Sequence, residues 1–229
     1  ANVTAIDETG QGIELATSST TVLTARLVAC AGLQSDRIAA LAGIGGGFAI
    51  VPFRGDFYRL PQHRADLVRH LVYPVPDPVL PFLGVHLTRT IDGGMTVGPS
   101  AMLAFDRETY AKFALSWRDV KALARTPGLA RLLLRYRGAG MTECLHAVSR
   151  RAYLRAVQKY CPELTLADLT RHSCGIRAQA VSPTGELVHD FLLRRTPRSV
   201  HVCNAPSPAA TAALPIAARI VTELATPPQ

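Results

Sequence analysis

Residues 199–224 read SVHVCNAPSPAATAALPIAARIVTEL. A β-branched run, Val200 to Val202, breaks off at the small-residue turn Asn204-Ala205-Pro206-Ser207-Pro208, and a helical pattern follows. Pro208 suits an early helical position, where a missing N–H costs nothing, and Ser207 suits the N-cap. A helix N-terminus carries free N–H donors and partial positive charge. Nothing at Ala205, Ala209, Ala210, Thr211 or Ala212 is larger than threonine, so a flat group can approach the backbone. Donors, dipole and access together suit a delocalised anion. A tightly packed turn between strand and helix uses the same residues. Either way the chain closes as strand then helix, which points to an α/β class.

The opening residues read as strand, a Gly10/Gly12 turn, strand, then a buried strand at Leu27–Ala29 and a short helix at Ser35–Leu41. Glycines at 43, 45, 46 and 47 do not make a dinucleotide motif, because G-x-G-x-x-G from Gly43 requires glycine where Phe48 stands. That run reads as a linker between domains. Antiparallel strands follow. The clearest hairpin turns at Asp92-Gly93-Gly94, and alternation puts Gly84, His86 and Thr88 on one face, with Leu83, Val85, Leu87 and Arg89 on the other. Residues 107–161 are helical in pattern, with breaks at Thr126-Pro127-Gly128 and Gly138-Ala139-Gly140 and a last helix over residues 142–160. Residues 172–204 read as three strands. The order predicts an α/β (α+β) protein. One domain, in pieces 1–45 and 176–229, is interrupted by a second at 46–175 with a large antiparallel sheet and helices.

The chain of 229 residues is 48% hydrophobic and 18% charged, a globular composition. A net charge of +8 favours anionic partners: acidic substrates, anionic lipid surfaces or nucleic acid. Basic residues at Arg150, Arg151, Arg155 and Lys159 lack interleaved aromatics and any nucleic-acid motif, so they read as a solvated face, and no nucleic acid is expected. Five scattered cysteines without CxxC argue against zinc or a disulfide framework and fit a reducing, cytoplasmic compartment. No metal-ligand spacing, transmembrane run, signal peptide or G-x-S-x-G elbow is found.

Three residues could carry chemistry. Arg177 lies on the otherwise apolar stretch CGIRAQAV. A buried guanidinium needs a carboxylate, either a distant Asp or Glu or one on a substrate. His86 in mid-strand can be a general base, or a hydrogen-bonded structural histidine. Arg54, beside Gly55, is either an anion contact or a strand-end residue.

The stretches VPFRGDFYRL, YPVPDPVLPFLGVHLTRTIDGGMTVGPSAMLAF, GIRAQAVSPTGELVHDFLL and HVCNAPSPAATAALPIAARIV closely resemble the L-2-hydroxyglutarate dehydrogenases (or oxidases) of the D-amino-acid-oxidase-like FAD-dependent oxidoreductases. The resemblance covers essentially the whole chain. It implies a partial FAD-binding domain interrupted by a substrate domain, and oxidation of L-2-hydroxyglutarate, a small dicarboxylate, to 2-oxoglutarate. Ala31 and Gly32 would stand against the FAD. Asn204, Ala205, Pro206, Ser207, Ala209 and Thr211 would lie beside its isoalloxazine. Arg177 would bind substrate carboxylate, with His86 as base and Arg54 as a further substrate contact. Electrons would leave to a quinone or to oxygen, and the positive surface fits peripheral contact with the inner membrane. The family's opening strand–G-x-G-x-x-G–helix is not in this sequence. The chain therefore reads as a C-terminal portion, expected to hold FAD weakly and to be inactive by itself. Other readings are another amine or 2-hydroxy-acid oxidase of the group, or a non-catalytic binding module.

Overall fold

A computed structural model describes residues 1–75, 84–206 and 209–225. Along the chain run β1 (Val3–Glu8), β2 (Ile13–Thr17), β3 (Thr21–Thr24), β4 (Leu27–Ala29), α1 (Ser35–Leu41) and β5 (Ala49–Arg59). Next come β6 (His86–Arg89), β7 (Met95–Gly98), β8 (Met102–Leu103), α2 (Trp117–Ala124), α3 (Leu129–Arg135), α4 (Arg137–Val148) and α5 (Arg150–Val157). The last elements are β9 (Thr170–Val181), β10 (Leu192–Arg195), β11 (Ser199–Asn204) and α6 (Ala213–Ala225).

Two compact units result. One is Ala1–Val51, Thr126–Leu129 and Ala178–Gln229; the other is Pro52–Arg125 and Ala130–Arg177. Two of the divisions fall inside the long strands β5 and β9, the others flank residues 126–129, and none falls in the glycine run at 43–47.

In the first unit β1, β2 and β3 form an antiparallel meander. Gly12 is needed there, since a Cβ would stand 2.8 Å from the Thr24 carbonyl oxygen. A second sheet runs β10-β11-β4, with β11 parallel to β4. β11 is the central strand and every residue on it is buried. On one side of β11, Val200 and Val202 pack with Ile220 of α6. On the other, Cys203 packs with Ala39, Phe48, Ile50 and Ala180. β4 is at the edge of this sheet, and Val28 on it is exposed where a buried strand was expected.

The second unit is built on a five-stranded sheet. β7 and β8 follow each other antiparallel along β5 (Tyr58↔Val97, then Phe53↔Leu103), β6 pairs outside β7, and β9 also pairs with β5. Tyr58, Leu87, Met95 and Val97 pack with Tyr153, Leu154 and Val157 of α5, so that face is covered by helix. The Asp92-Gly93-Gly94 hairpin forms as expected, with Gly93 at φ +78.

The helical region departs from expectation in three places. Residues 107–116 form turns and bends, with no helix. α4 runs straight through Gly138 and Gly140; the breaks come just before them at Tyr136, between α3 and α4, and at Ser149, whose extended backbone and side chain cap α5 by accepting from the Ala152 N–H at 3.2 Å. α6 starts at Ala213, after turn residues at 209–212, and not at Pro208; both Ser207 and Pro208 lie outside the described residues. Leu83 and the proline-rich end of its strand lie outside them too.

Candidate active site

Strand alternation sorts the site residues of the second unit onto two faces of one sheet. His86 pairs with Gly98, and Leu87 with Val97. Leu87, Val97 and Tyr58 belong to the helix-covered core, so His86, Gly98 and Phe57 share the opposite, open face. Gly98 has to lack a side chain, because a Cβ would stand 2.7 Å from the Phe57 ring. On β9, Ile176 lines a small cavity with Arg54, and Cys174 Sγ donates to the Tyr110 carbonyl that also accepts from Arg54. Cys174 and Ile176 therefore take the helix side, and Gly175 and Arg177 the open face with His86.

His86 is half-buried. Its Nδ1 lies 3.1 Å from the Gly84 carbonyl oxygen. A carbonyl only accepts, so Nδ1 carries the proton and the neutral ring keeps its lone pair on Nε2. Burial pushes the imidazole pKa below its usual value; the Gly84 carbonyl opposes this and the positive charge of Arg177 adds to it. The ring is thus neutral at neutral pH. The Tyr73 ring stacks on it at 4.3 Å between centroids.

Arg177 is exposed on β9, whereas a buried guanidinium was expected, and open space lies where a Cβ on Gly175 would stand. Surrounding protein still desolvates the guanidinium enough to lower its pKa. Arg54 lies elsewhere. It is buried on the helix-covered face, bound to Asp56 through Nε at 2.9 Å and Nη2 at 2.8 Å. Lys112 shares Asp56 at 3.1 Å, which leaves the trio with one surplus positive charge. The sheet puts His86 and Arg177 on one face, with β7 and β5 between their strands, and sets Arg54 on its other side.

In the first unit Gly32 has φ +52 with open space at its missing Cβ, and Ala31 precedes it. Asn204 ends β11 with its side-chain amide donating to the Val188 and Asp190 carbonyls at 3.1 and 2.8 Å, so it anchors the turn. Ala205, Ala210 and Thr211 are exposed, and Pro206 and Ala209 partly so. These small, open positions fit a flat ring laid against the backbone. Sequence reading passed over Tyr73 as one residue of a strand. Its signal was an aromatic ring on an alternating segment next to the His86 strand.

A family described as FAD dependent oxidoreductase matches residues 1–224, and the chain belongs to that family. Among curated proteins it is 49% identical over 225 residues to the L-2-hydroxyglutarate dehydrogenase of Salmonella houtenae, covering 98% of this chain and 53% of that protein. It is 50% identical over 200 residues to the enzyme of the same name from Escherichia coli (strain K12), covering 87% and 47%. The mitochondrial L-2-hydroxyglutarate dehydrogenase of Homo sapiens is 43% identical over 203 residues, covering 86% and 44%. The chain spans about half the length of these relatives. The fold matches an FAD-bound L-alpha-glycerophosphate oxidase from Mycoplasma pneumoniae (TM-score 0.64, 18% identity, 97% of this chain and 50% of that one). It also matches the glycine oxidase of Geobacillus kaustophilus (TM-score 0.59, 13% identity, 97% and 47%).

Proposed function

We propose that the protein to which this chain belongs oxidises L-2-hydroxyglutarate to 2-oxoglutarate with FAD. The observation that carries this reading is the placement of a neutral histidine, with its Nε2 lone pair, and an arginine on one open sheet face. The names of the similar dehydrogenases supply the substrate. Arg177 binds a substrate carboxylate as a bidentate fork. His86 Nε2 takes the proton of the substrate hydroxyl. FAD, when bound, supplies the two-electron oxidation that turns the hydroxyl carbon into a carbonyl. Ala31, Gly32, Asn204, Ala205, Pro206, Ser207, Ala209 and Thr211 are the residues of this chain that would hold it. Arg54, paired with Asp56 on the other face, braces the sheet beneath the site.

Electrons pass on to a quinone or to oxygen. Docking at an anionic bilayer on the cytoplasmic side belongs to the same reading. It is supported by α4, which turns Met141, Leu145 and Val148 outward (74%, 53% and 67% exposed) beside Arg137, with Arg131 and Arg135 on α3. No helix among the described residues is long and apolar enough to cross a membrane.

The test is Arg177→Leu in the full-length enzyme, assayed on a panel of 2-hydroxy acids and amines. KM for L-2-hydroxyglutarate should rise by about 100-fold or more with FAD retained. Unchanged kinetics would remove Arg177 from the site, and faster turnover of an amine would reassign the substrate.

A further inference from the structure

Val72 and Leu87 exchange both backbone hydrogen bonds, Val72 N–H to Leu87 O at 3.0 Å and Leu87 N–H to Val72 O at 2.9 Å. This isolated antiparallel bridge lays residues 71–73 alongside β6. Its register puts Tyr73 directly opposite His86, in the next, non-hydrogen-bonded pair, where facing side chains come closest. Val72 points into the helix-covered core with Leu87, so Tyr73 must point to the open face with His86. The rings lie 4.3 Å apart at 18°. The Tyr73 hydroxyl is 3.3 Å from Thr88 Oγ1, the next residue along that face. Stack, hydroxyl contact and the Gly84 carbonyl on Nδ1 together hold the imidazole plane and leave Nε2 as the nitrogen that Gly84 does not engage.

We infer that Tyr73 is a positioning residue for His86, fixing the imidazole across the strand pair so that Nε2 faces the substrate. This rests on the reading of His86 as the base. Tyr73 is 46% exposed, so it is not a core residue whose loss unfolds the unit. Its ring covers one side of the imidazole, and Arg177 on β9 is the charged group whose field reaches it.

The experiment compares Tyr73→Phe and Tyr73→Leu in the full-length flavoenzyme, alone and with His86→Asn, and follows the His86 ring protons of this chain by NMR. Tyr73→Leu should lower kcat about tenfold while KM moves less than about twofold, because a displaced base loses transition-state contact without losing substrate binding. Tyr73→Phe keeps the stack and should stay within about threefold of wild type. In the His86→Asn background, Tyr73→Leu should add nothing. The His86 ring signals should lose their aromatic ring-current shift in the Leu variant and keep it in the Phe variant. An unchanged kcat in Tyr73→Leu overturns the inference, as does a loss that appears in KM or adds to His86→Asn. If His86→Asn alone leaves kcat intact, the base reading falls instead, and the NMR shifts still report whether the stack exists.

Discussion

His86 owes its readiness as a base to three neighbours that pull in different directions: burial, the Gly84 carbonyl and Arg177. Burial wins, so the ring should titrate below its ordinary value of 6.5, and Arg177→Leu should move it part of the way back up. NMR titration of the ring carbons measures both; titration at or above the ordinary value would sink the argument. His86→Asn should cut kcat by about 100-fold or more in the full-length enzyme, the usual yield of a placed general base. Arg54 is a different kind of residue. Its side chain is 9% exposed and its charge is already matched by Asp56. Arg54→Ala leaves Asp56 to Lys112 alone and empties a buried fork, so about 3 kcal/mol of stability should go. Urea unfolding tests this: a loss under about 0.5 kcal/mol would mean the pair is not a structural brace.

At the scale of elements, the features visible in the sequence were those set by near neighbours. The Asp92-Gly93-Gly94 turn and the alternation around His86 need only a few consecutive residues, and both stand in the structure. What was not visible depends on pairing between distant segments. Whether Arg54 and Arg177 share a face follows from how β5 and β9 pair, and the residues are more than a hundred positions apart. Tyr73 meets His86 only through the Val72–Leu87 bridge. The helices failed for a local reason that tertiary context overrode. Two glycines argued for a break at 138–140, yet each costs only about 1 kcal/mol inside a helix. α4 recovers this through the Glu143 carboxylate, which accepts from the Ala101 N–H, and through buried Ala147. The breaks fall at Tyr136, two residues before Gly138, and at the cap on Ser149. Ser149→Ala should therefore cost about 1 kcal/mol and Ser149→Gly only a few tenths. Equal losses in thermal unfolding would show that the side-chain cap is not what ends α4.

For the molecule as a whole, the buried histidines make stability depend on pH in one direction. His201 on β11 is 2% exposed, and its Nε2 lies 2.9 Å from Ser199 Oγ. Ser199 Oγ contacts Thr196 Oγ1 at 2.6 Å, and Thr196 donates to the carboxylate of Glu8. A hydroxyl has one proton, so with Thr196 facing Glu8 the bonds run outward from His201 Nε2–H; the buried Nδ1 has no hydrogen-bond partner for a second proton, which keeps the ring neutral. Burial lowers the His201 pKa, with Glu8 only partly opposing. The unfolded chain takes up its proton near pH 6.5, and the folded chain does so only at lower pH. Between those two values the unfolded state holds more protons, so acidification favours it. The stabilisation is complete above about pH 6.5 and is lost as pH falls through the folded pKa, and His86 adds a contribution of the same sign. The urea midpoint should therefore be lower at about pH 5.5 than at about pH 7.5, before the carboxylates titrate. His201→Gln keeps an N–H donor for Ser199 but cannot take up a proton. It should lower stability at the higher pH and narrow the gap between the two midpoints. If the gap keeps its full size in His201→Gln, the acid sensitivity comes from other groups, and the outward chain of bonds to Glu8 only holds the ring in place.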